Sequence, residues 1–180
     1  MSRFGKVARA TAPIMAVALA PRLYANAVRL FLRRNTRQLA AGNTAPLFAS
    51  YADDVTFRFP GQSAWAADLR GKADVEGWVR RFLSVGMRLQ PNEIVVNGPP
   101  RRTRACKRYT DTYTTSEGER VYANEGVFYI EIAWGKVRHY EVHEDTQKVA
   151  EFDSYLAARE ATAAHCTEGE DASKVRAKGW

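Results

Sequence analysis

Several features that define other protein classes are scarce in this sequence. It has only two cysteines, Cys106 and Cys166, too few for a disulfide framework, and it has no CxxC pair. It contains no Gly-rich phosphate loop and no internal repeat, and no apolar run reaches the about 20 residues of a membrane-spanning helix. These absences argue against a disulfide-rich secreted scaffold, a P-loop nucleotide enzyme and a helical membrane protein. They favour a reducing compartment, so we expect a cytoplasmic protein.

Acidic residues are missing from the first part of the chain. Residues 1–52 carry eight basic side chains and no acid, whereas the rest carries 19 basic and 20 acidic groups. Phosphate binding needs basic groups gathered on the binding face, so the body of the chain is not expected to bind nucleic acid. A solvated outer helix face is the simplest interpretation of the basic segment. A weak contact with a membrane surface remains open.

Residues 1–21 form a basic and apolar N-terminal arm. The apolar run and the Ala18-x-Ala20 pattern resemble a signal peptide, but Pro13 interrupts the run and Pro21 would follow the cut. A signal peptide, a membrane-surface helix and a disordered arm are the alternatives, and we favour an uncleaved arm. Residues 22–163 are predicted to form one domain, and 164–180 a disordered polar tail.

The stretch 49–61 organises the predicted fold. It reads as the end of a short helix, a polar corner at Asp53 and Asp54, and then a strand. In the strand, Phe57 and Phe59 point to one face and Arg58 to the other, where it should pair with an acid of a neighbouring strand. Such a strand must cover a core or a pocket with its apolar face.

The remaining periodicity predicts three helices before a four-strand meander and one helix after it. A loop carrying Trp65 fills 62–72, between the first strand and the third helix. The predicted helices cover 23–41, 46–51, 73–85 and about 145–163, and the meander strands cover 89–97, 103–115, 120–132 and 136–144. This order gives an α+β fold.

Short sequence runs agree with that order. They are 39–43, TyrAlaAspAspValThrPhe at 51–57, PheProGly at 59–61, LeuArgGlyLys at 69–72, TyrAlaAsn at 122–124, GlyLysVal at 135–137 and GluAspThr at 144–146. Over residues 25–160 the chain resembles the SnoaL-like and ketosteroid isomerase-like branches of the nuclear transport factor 2-like (NTF2-like) superfamily. The resemblance implies a cone-shaped, curved antiparallel sheet wrapped around helices, with a pocket at the open end. It also implies a homodimer packed through the sheet.

The catalytic groups of the isomerase can be carried over one at a time. The place of its general base is Phe59, that of its helix-one oxyanion tyrosine is Asn35, and that of its second oxyanion acid falls near Phe128. Phenylalanine cannot deprotonate a carbon acid, so the resemblance does not extend to ketosteroid isomerase activity. A pocket of the same shape with an apolar lining remains. Its catalytic residues are unknown, and neither a cofactor nor a metal is expected.

Six residues are the candidates for ligand contact: Asn35, Phe59, Trp65, Asn124, Phe128 and Tyr140. Asn35 lies on an apolar helix face and either donates to a ligand or is satisfied by nearby backbone. Asn124 either lines the pocket or makes a hairpin contact with Gly126. Trp65 either covers the pocket mouth or simply packs.

Two rows of polar side chains alternate along strands. His139, Glu141 and His143 share a face that we expect to point outward, to solvent or a dimer partner, because Tyr140 occupies the opposite face. Asp111, between two tyrosines, is either an acid with an altered pKa or a solvated or cross-strand-bonded residue. We favour the second interpretation.

These patterns lead to two functional hypotheses. In the first, the protein binds a small hydrophobic or polycyclic molecule, as a carrier or as an enzyme of isomerase, cyclase or hydrolase type. In the second, it is a non-catalytic dimeric interaction module docked through its basic N-terminal arm.

Overall fold

A computed structural model describes the backbone of residues 8–177 and the side chains of residues 20–161. Within this part of the chain the helices are α1 (Ala8–Ala40), α2 (Ala45–Ser50), α3 (Lys72–Ser84) and α4 (Thr146–Ala177). The strands are β1 (Tyr51–Phe59), β2 (Ala67–Arg70), β3 (Arg88–Asn97), β4 (Thr103–Thr114), β5 (Arg120–Ala133) and β6 (Lys136–Glu144).

The six strands form one curved mixed sheet. Their order is β2-β1-β6-β5-β4-β3. The predicted meander β3 to β6 is antiparallel throughout, whereas β1 pairs with β6 in parallel. The α+β fold is confirmed, and the sheet is mixed rather than purely antiparallel.

The apolar face of β1 lies at the centre of the core, as its alternation predicts. Phe57 is 1% exposed and packs on Trp78 of α3, with ring centroids 4.6 Å apart, and on Tyr140 of β6 at 5.9 Å. Arg58 points to the outer face, where it pairs with Glu141 at 3.3 Å. The strand therefore covers the inside of the cone with its aromatic side chains.

The segment after β1 differs from its prediction as a loop. Residues Ala67–Arg70 form β2 and pair with β1, Leu69 lying opposite Phe57. A strand of four residues is too short for its alternation to stand out in sequence. Asp53 and Asp54 belong to β1 rather than to a polar corner before it, and Asp54 forms an ion pair with Arg138.

Both terminal helices are longer than predicted. The α1 backbone is helical from Ala8 and continues through Pro21, although the helix was expected to begin near Leu23; residues 1–7 lie outside the described part. The α4 backbone is helical to Ala177 and so includes residues 164–177 of the predicted polar tail; residues 178–180 are not described. An alanine-rich stretch around 157–164 favours this continuation, because alanine has the highest helix propensity. Among the described residues, no helix is long and apolar enough to span a membrane.

The first turns of α4 lie over one end of the cone. Phe152 stacks on Tyr122 of β5, with ring centroids 4.5 Å apart, and packs in one buried cluster with Met87. Val149 is 4% exposed and belongs to the main core. The first turns of α4 therefore cover this end of the cone.

Candidate functional site

The inside of the cone contains an elongated cavity, which we call the main cavity. It has about 480 Å³ of atom-free space, including the part open to solvent. Its walls are mostly aromatic and aliphatic, and its polar lining residues are Tyr51, Tyr109, Asp111, Tyr140 and Glu144. Towards α4 it adjoins an outer cavity that shares Asp111 and Glu144 and adds Trp65, Tyr122 and Phe152.

Strand register brings two carboxyl groups into this space. Asp111 of β4 lies opposite Asn124 of β5, and Glu144 of β6 lies opposite Gly126 of the same strand. Asp111 follows Tyr109 on the inward face of β4. Glu144 ends the inward row that begins with Tyr140 on β6. The two acids therefore line the same cavity from the two strands that flank β5.

The absence of a side chain at Gly126 makes room for this arrangement. A Cβ atom built there would lie 2.5 Å from the hydroxyl oxygen of Tyr109 and 2.7 Å from the carbonyl oxygen of His143. Real Cβ atoms essentially never come this close to other heavy atoms, so any side chain here would displace Tyr109 from its place beside Glu144.

A hydrogen-bond network holds both acids. The Tyr109 hydroxyl donates to Glu144 Oε2 at 2.6 Å. The Tyr122 hydroxyl bonds the Asp111 carboxyl, and it accepts a hydrogen bond from Asn124 Nδ2 at 3.1 Å. Asn124 Nδ2 also donates to the Asp145 carbonyl oxygen at 3.0 Å. Each acid is thus hydrogen-bonded to one tyrosine, Glu144 to Tyr109 and Asp111 to Tyr122, and Asn124 positions Tyr122.

Burial changes the acidity of both carboxyl groups. Loss of solvation raises the pKa of Glu144 to about 7; the nearby charge of Asp111 raises it further, while the Tyr109 hydrogen bond opposes the rise. Burial also raises the pKa of Asp111 to about 6, against hydrogen bonds and the charge of Lys148. Burial raises the pKa of Tyr109 and Tyr122 above the usual tyrosine value, so both remain neutral donors.

Of the two parts of the favoured interpretation of Asp111, the solvated one is wrong, whereas the cross-strand bond is present in the contact with Tyr122 of β5. The Asp111 side chain is 2% exposed, because the cone closes around the strand face that carries it. The raised pKa values place both carboxyl groups near neutrality, where the pair can hold one proton between them, the state needed to accept and donate protons. The sequence did signal Asp111 through its alternation with tyrosines, whereas Glu144, the last residue of the predicted strand 136–144, carried no such signal.

Two buried polar atoms of the outer cavity have no hydrogen-bond partner within the described side chains. They are Asp111 Oδ1 and Trp65 Nε1. Buried polar groups are normally paired, so an unpaired acceptor and an unpaired donor around one space are suited to a ligand or a water molecule. Trp65 is 5% exposed and packs edge-on against Trp78.

The candidate ligand residues divide among three places. Phe59, Phe128 and Tyr140 line the main cavity, and Trp65 lines the outer cavity. Asn35 lines a separate, deeper cavity. Asn124 lines none of these cavities, and in place of the suggested contact with Gly126 it bonds Tyr122 and Asp145. Ligand contact by these residues stays a prediction.

The histidine row lies on the outer face of the sheet, as expected. His139 Nδ1 bonds the Thr56 hydroxyl at 2.7 Å, and both His139 and His143 lie 3.5 Å from Glu141. Among the residues whose side chains are described, no cluster of three or more potential ligands is arranged to hold a metal.

Sequence comparison identifies the family. The SnoaL-like domain matches residues 32–140, more than half of the chain. The chain belongs to the SnoaL-like family. No curated protein matches this SnoaL-like chain.

Solved structures share its NTF2-like fold at low sequence identity. An NTF2-like protein of unknown function from Burkholderia pseudomallei is 19% identical with a TM-score of 0.57, covering 67% of this chain and 92% of its own. TerC, co-crystallized with polyporic acid, is 19% identical with a TM-score of 0.58, covering 69% and 95%. A protein provisionally assigned as a polyketide cyclase from Pseudomonas putida is 18% identical with a TM-score of 0.52, covering 67% and 93%.

Proposed function

We propose that this SnoaL-like protein binds a small hydrophobic molecule in the main cavity and transfers protons on it with Asp111 and Glu144. The observation that carries the proposal is the pair of buried carboxyl groups with raised pKa values in an otherwise apolar cavity. Groups with such pKa values at one site are typical of acid–base catalysts.

The walls of the cavity favour a flat, aromatic or polycyclic ligand. Phe128 stacks on Tyr109 with ring centroids 4.0 Å apart and on Tyr140 at 4.9 Å. On the opposite wall, Trp78 stacks on Phe82 at 5.8 Å. Aromatic surfaces of this kind add stacking energy of about 0.5–1.5 kcal/mol per pair to simple burial. The binding of polyporic acid by TerC, which shares the fold, supports the same ligand class.

The chemistry suits an isomerase-type or cyclase-type step. Ionised Asp111 accepts a proton from a carbon next to a ligand carbonyl, and protonated Glu144 donates its proton to the carbonyl oxygen, giving an enol. The reverse transfer at another carbon completes an isomerisation. Tyr109 fixes the Glu144 carboxyl for this donation.

Native mass spectrometry of the purified protein tests the binding step, followed by denaturing extraction and identification of any released molecule. We expect an apolar aromatic molecule to be retained, and Asp111→Asn and Glu144→Gln to retain it while failing to convert it. The proposal is contradicted if the protein holds no molecule and polycyclic aromatic ketones do not shift its melting temperature. Full turnover by both variants would contradict the catalytic step.

Surface features support a second candidate, the dimeric interaction module. On α1, Leu23 and Leu30 are 66% and 65% exposed beside four exposed arginines, Arg22, Arg33, Arg34 and Arg37. We propose docking of this helix on a membrane surface or acidic partner. Deleting residues 1–20 and replacing Arg22, Arg33, Arg34 and Arg37 by glutamine should abolish binding to anionic lipid vesicles and leave ligand retention unchanged. Binding that is insensitive to salt would count against this proposal, because exposed charges are screened.

The proposed homodimer is supported by the outer sheet face, where Val95 is 54% exposed and Val127 36% exposed. The mass measured in the same native spectra tests it. A dimer mass that Val127→Glu converts to a monomer mass is expected. A monomer at all concentrations would contradict it.

A further inference from the structure

A second cavity, which we call the deep cavity, lies beyond the main cavity. Leu47, Tyr51 and Tyr140 line both, so their side chains form the wall between them. The deep cavity also contains a lysine, Lys107, four residues before Asp111 on the same face of β4. At about 3.3 Å per residue, the two positions are about 13 Å apart along the strand. The deep cavity is therefore distinct from the site of the acid pair.

Lys107 is buried, and no carboxylate among the side chains of residues 20–161 forms an ion pair with it. Its side chain is on the inward face of β4, opposite Phe128, and the residue is 6% exposed. Its Nζ lies 3.3 Å from the Thr36 hydroxyl oxygen and 4.4 Å from the centre of the Phe128 ring. None of the ten residues that line the deep cavity is Asp or Glu. A buried ammonium group normally has an ionic partner, because burying a charge alone is costly.

Asn35 brings to the deep cavity a hydrogen-bond donor that has no partner. Asn35 is 5% exposed, and its Nδ2 has no hydrogen-bond partner within residues 20–161. The Thr36 hydroxyl donates to the Leu32 carbonyl oxygen at 3.0 Å and accepts from Lys107, and the Ser50 hydroxyl donates to the Leu47 carbonyl oxygen at 2.5 Å, but none of these bonds reaches Asn35 Nδ2. Lys107 uses only one of its three N–H groups on Thr36, and Asn35 Nδ2 uses none, so a visiting group must bring the remaining acceptors.

We propose that the deep cavity is a binding subsite for one acidic oxygen group of an apolar ligand, a carboxylate or a phenolate. Lys107 supplies the positive charge, and Asn35 Nδ2 donates a second hydrogen bond. The deep cavity has about 290 Å³ of atom-free space against about 480 Å³ for the main cavity, so we place only the acidic group there and the apolar remainder of the ligand on the Tyr51 and Tyr140 side. The subsite goes beyond the proposed proton transfer, since it would hold an apolar acid whether or not the acid pair reacts with it.

The electrostatics of the cavity support this assignment. Burial lowers the pKa of Lys107 to about 7, so without a neighbouring anion about half of the Lys107 side chains are charged at neutral pH. The other titratable groups lining the cavity are Tyr51 and Tyr140, and burial raises the pKa of both, so they remain neutral. A bound anion would stabilise the ammonium form and raise the pKa of Lys107.

The test is an NMR titration of the full-length protein labelled with ¹³C at lysine, with Lys107→Met identifying the signal. The probes are acetate and 2-naphthoate, and the neutral controls are acetamide and 2-naphthamide. We expect at least one acid to raise the pKa of Lys107 by about one unit, which corresponds to about tenfold tighter binding to the charged form. Neither amide should raise it. Asn35→Leu, which removes the second donor, should reduce the rise.

Three outcomes would overturn the proposal. One is that the Lys107 pKa does not change when either acid is added at a concentration far above a dissociation constant of about one millimolar. Another is an equal rise with sodium chloride, which would show general screening. The third is an equal rise with the neutral amides. If Lys107→Met does not fold, the signal is still recognised as the lysine that titrates near neutral pH. Glu144→Gln is the control for the acid pair. We expect this variant to show the same Lys107 titration as the wild type.

Discussion

Replacing Glu144 by glutamine should change how the stability of the protein depends on pH. The folded protein holds the Glu144 carboxyl with a pKa of about 7 instead of its ordinary 4.5. Because the folded state binds the proton more tightly, ionisation opposes folding, and stability falls as pH rises from 4.5 to about 7. At about 1.4 kcal/mol per pH unit, ionised Glu144 destabilises the fold by about 3 kcal/mol.

Glutamine has the shape of the protonated acid and still offers Tyr109 an acceptor. Glu144→Gln should therefore match the wild type near pH 4.5 and exceed its free energy of unfolding by about 3 kcal/mol above pH 7. Urea unfolding at a series of pH values measures this difference. The control is Glu117→Gln in an exposed turn, where no pH-dependent gain is expected. An equal or lower stability of Glu144→Gln above pH 7 would refute the reasoning.

Three further predictions concern the cavities and their support. Lys107→Met should stabilise the protein below about pH 7 and remove the rise in wild-type stability between pH 7 and 10.5, because the folded state holds this lysine with a lowered pKa. Urea unfolding at a series of pH values measures both effects. A rise that persists in the variant would show that Lys107 does not cause it. Asn35→Ala should weaken ligand binding and leave the fold intact; equal losses of melting temperature and binding would make Asn35 structural. Gly126→Ala should cost about 1–3 kcal/mol of stability, because its Cβ would collide with the Tyr109 hydroxyl, and an unchanged urea midpoint would contradict that crowding.

The sequence was sufficient for most of the fold because its strands carry clear alternation. Phe57 and Phe59 face the core of the cone, and Arg58 pairs with Glu141 on the other face, as their spacing predicts. The short strand Ala67–Arg70 was missed, because pairing with β1 rather than its own pattern makes it a strand. The length of α1 was missed because Pro21 is normally a reason to end a helix.

The polar residues of the site were harder to predict for a physical reason. Alternation shows which face of β4 carries Lys107 and Asp111, but not whether that face is open to water or closed by helices. A charged group on a strand is usually solvated, and here the cone encloses it. The pairing of Asp111 with Glu144 also depends on register across β5, between residues 33 positions apart in sequence.

The most direct measurement of the central claim is a ¹³C NMR titration of the side-chain carboxyl groups, with Asp111→Asn and Glu144→Gln used to assign the two signals. The structure predicts that the pair titrates with apparent pKa values of about 6 and about 7. It also predicts that a ligand recovered from the protein shifts both. Titration of both groups near their ordinary values of 3.8 and 4.5 would show a solvated site and contradict the proposed acid–base pair.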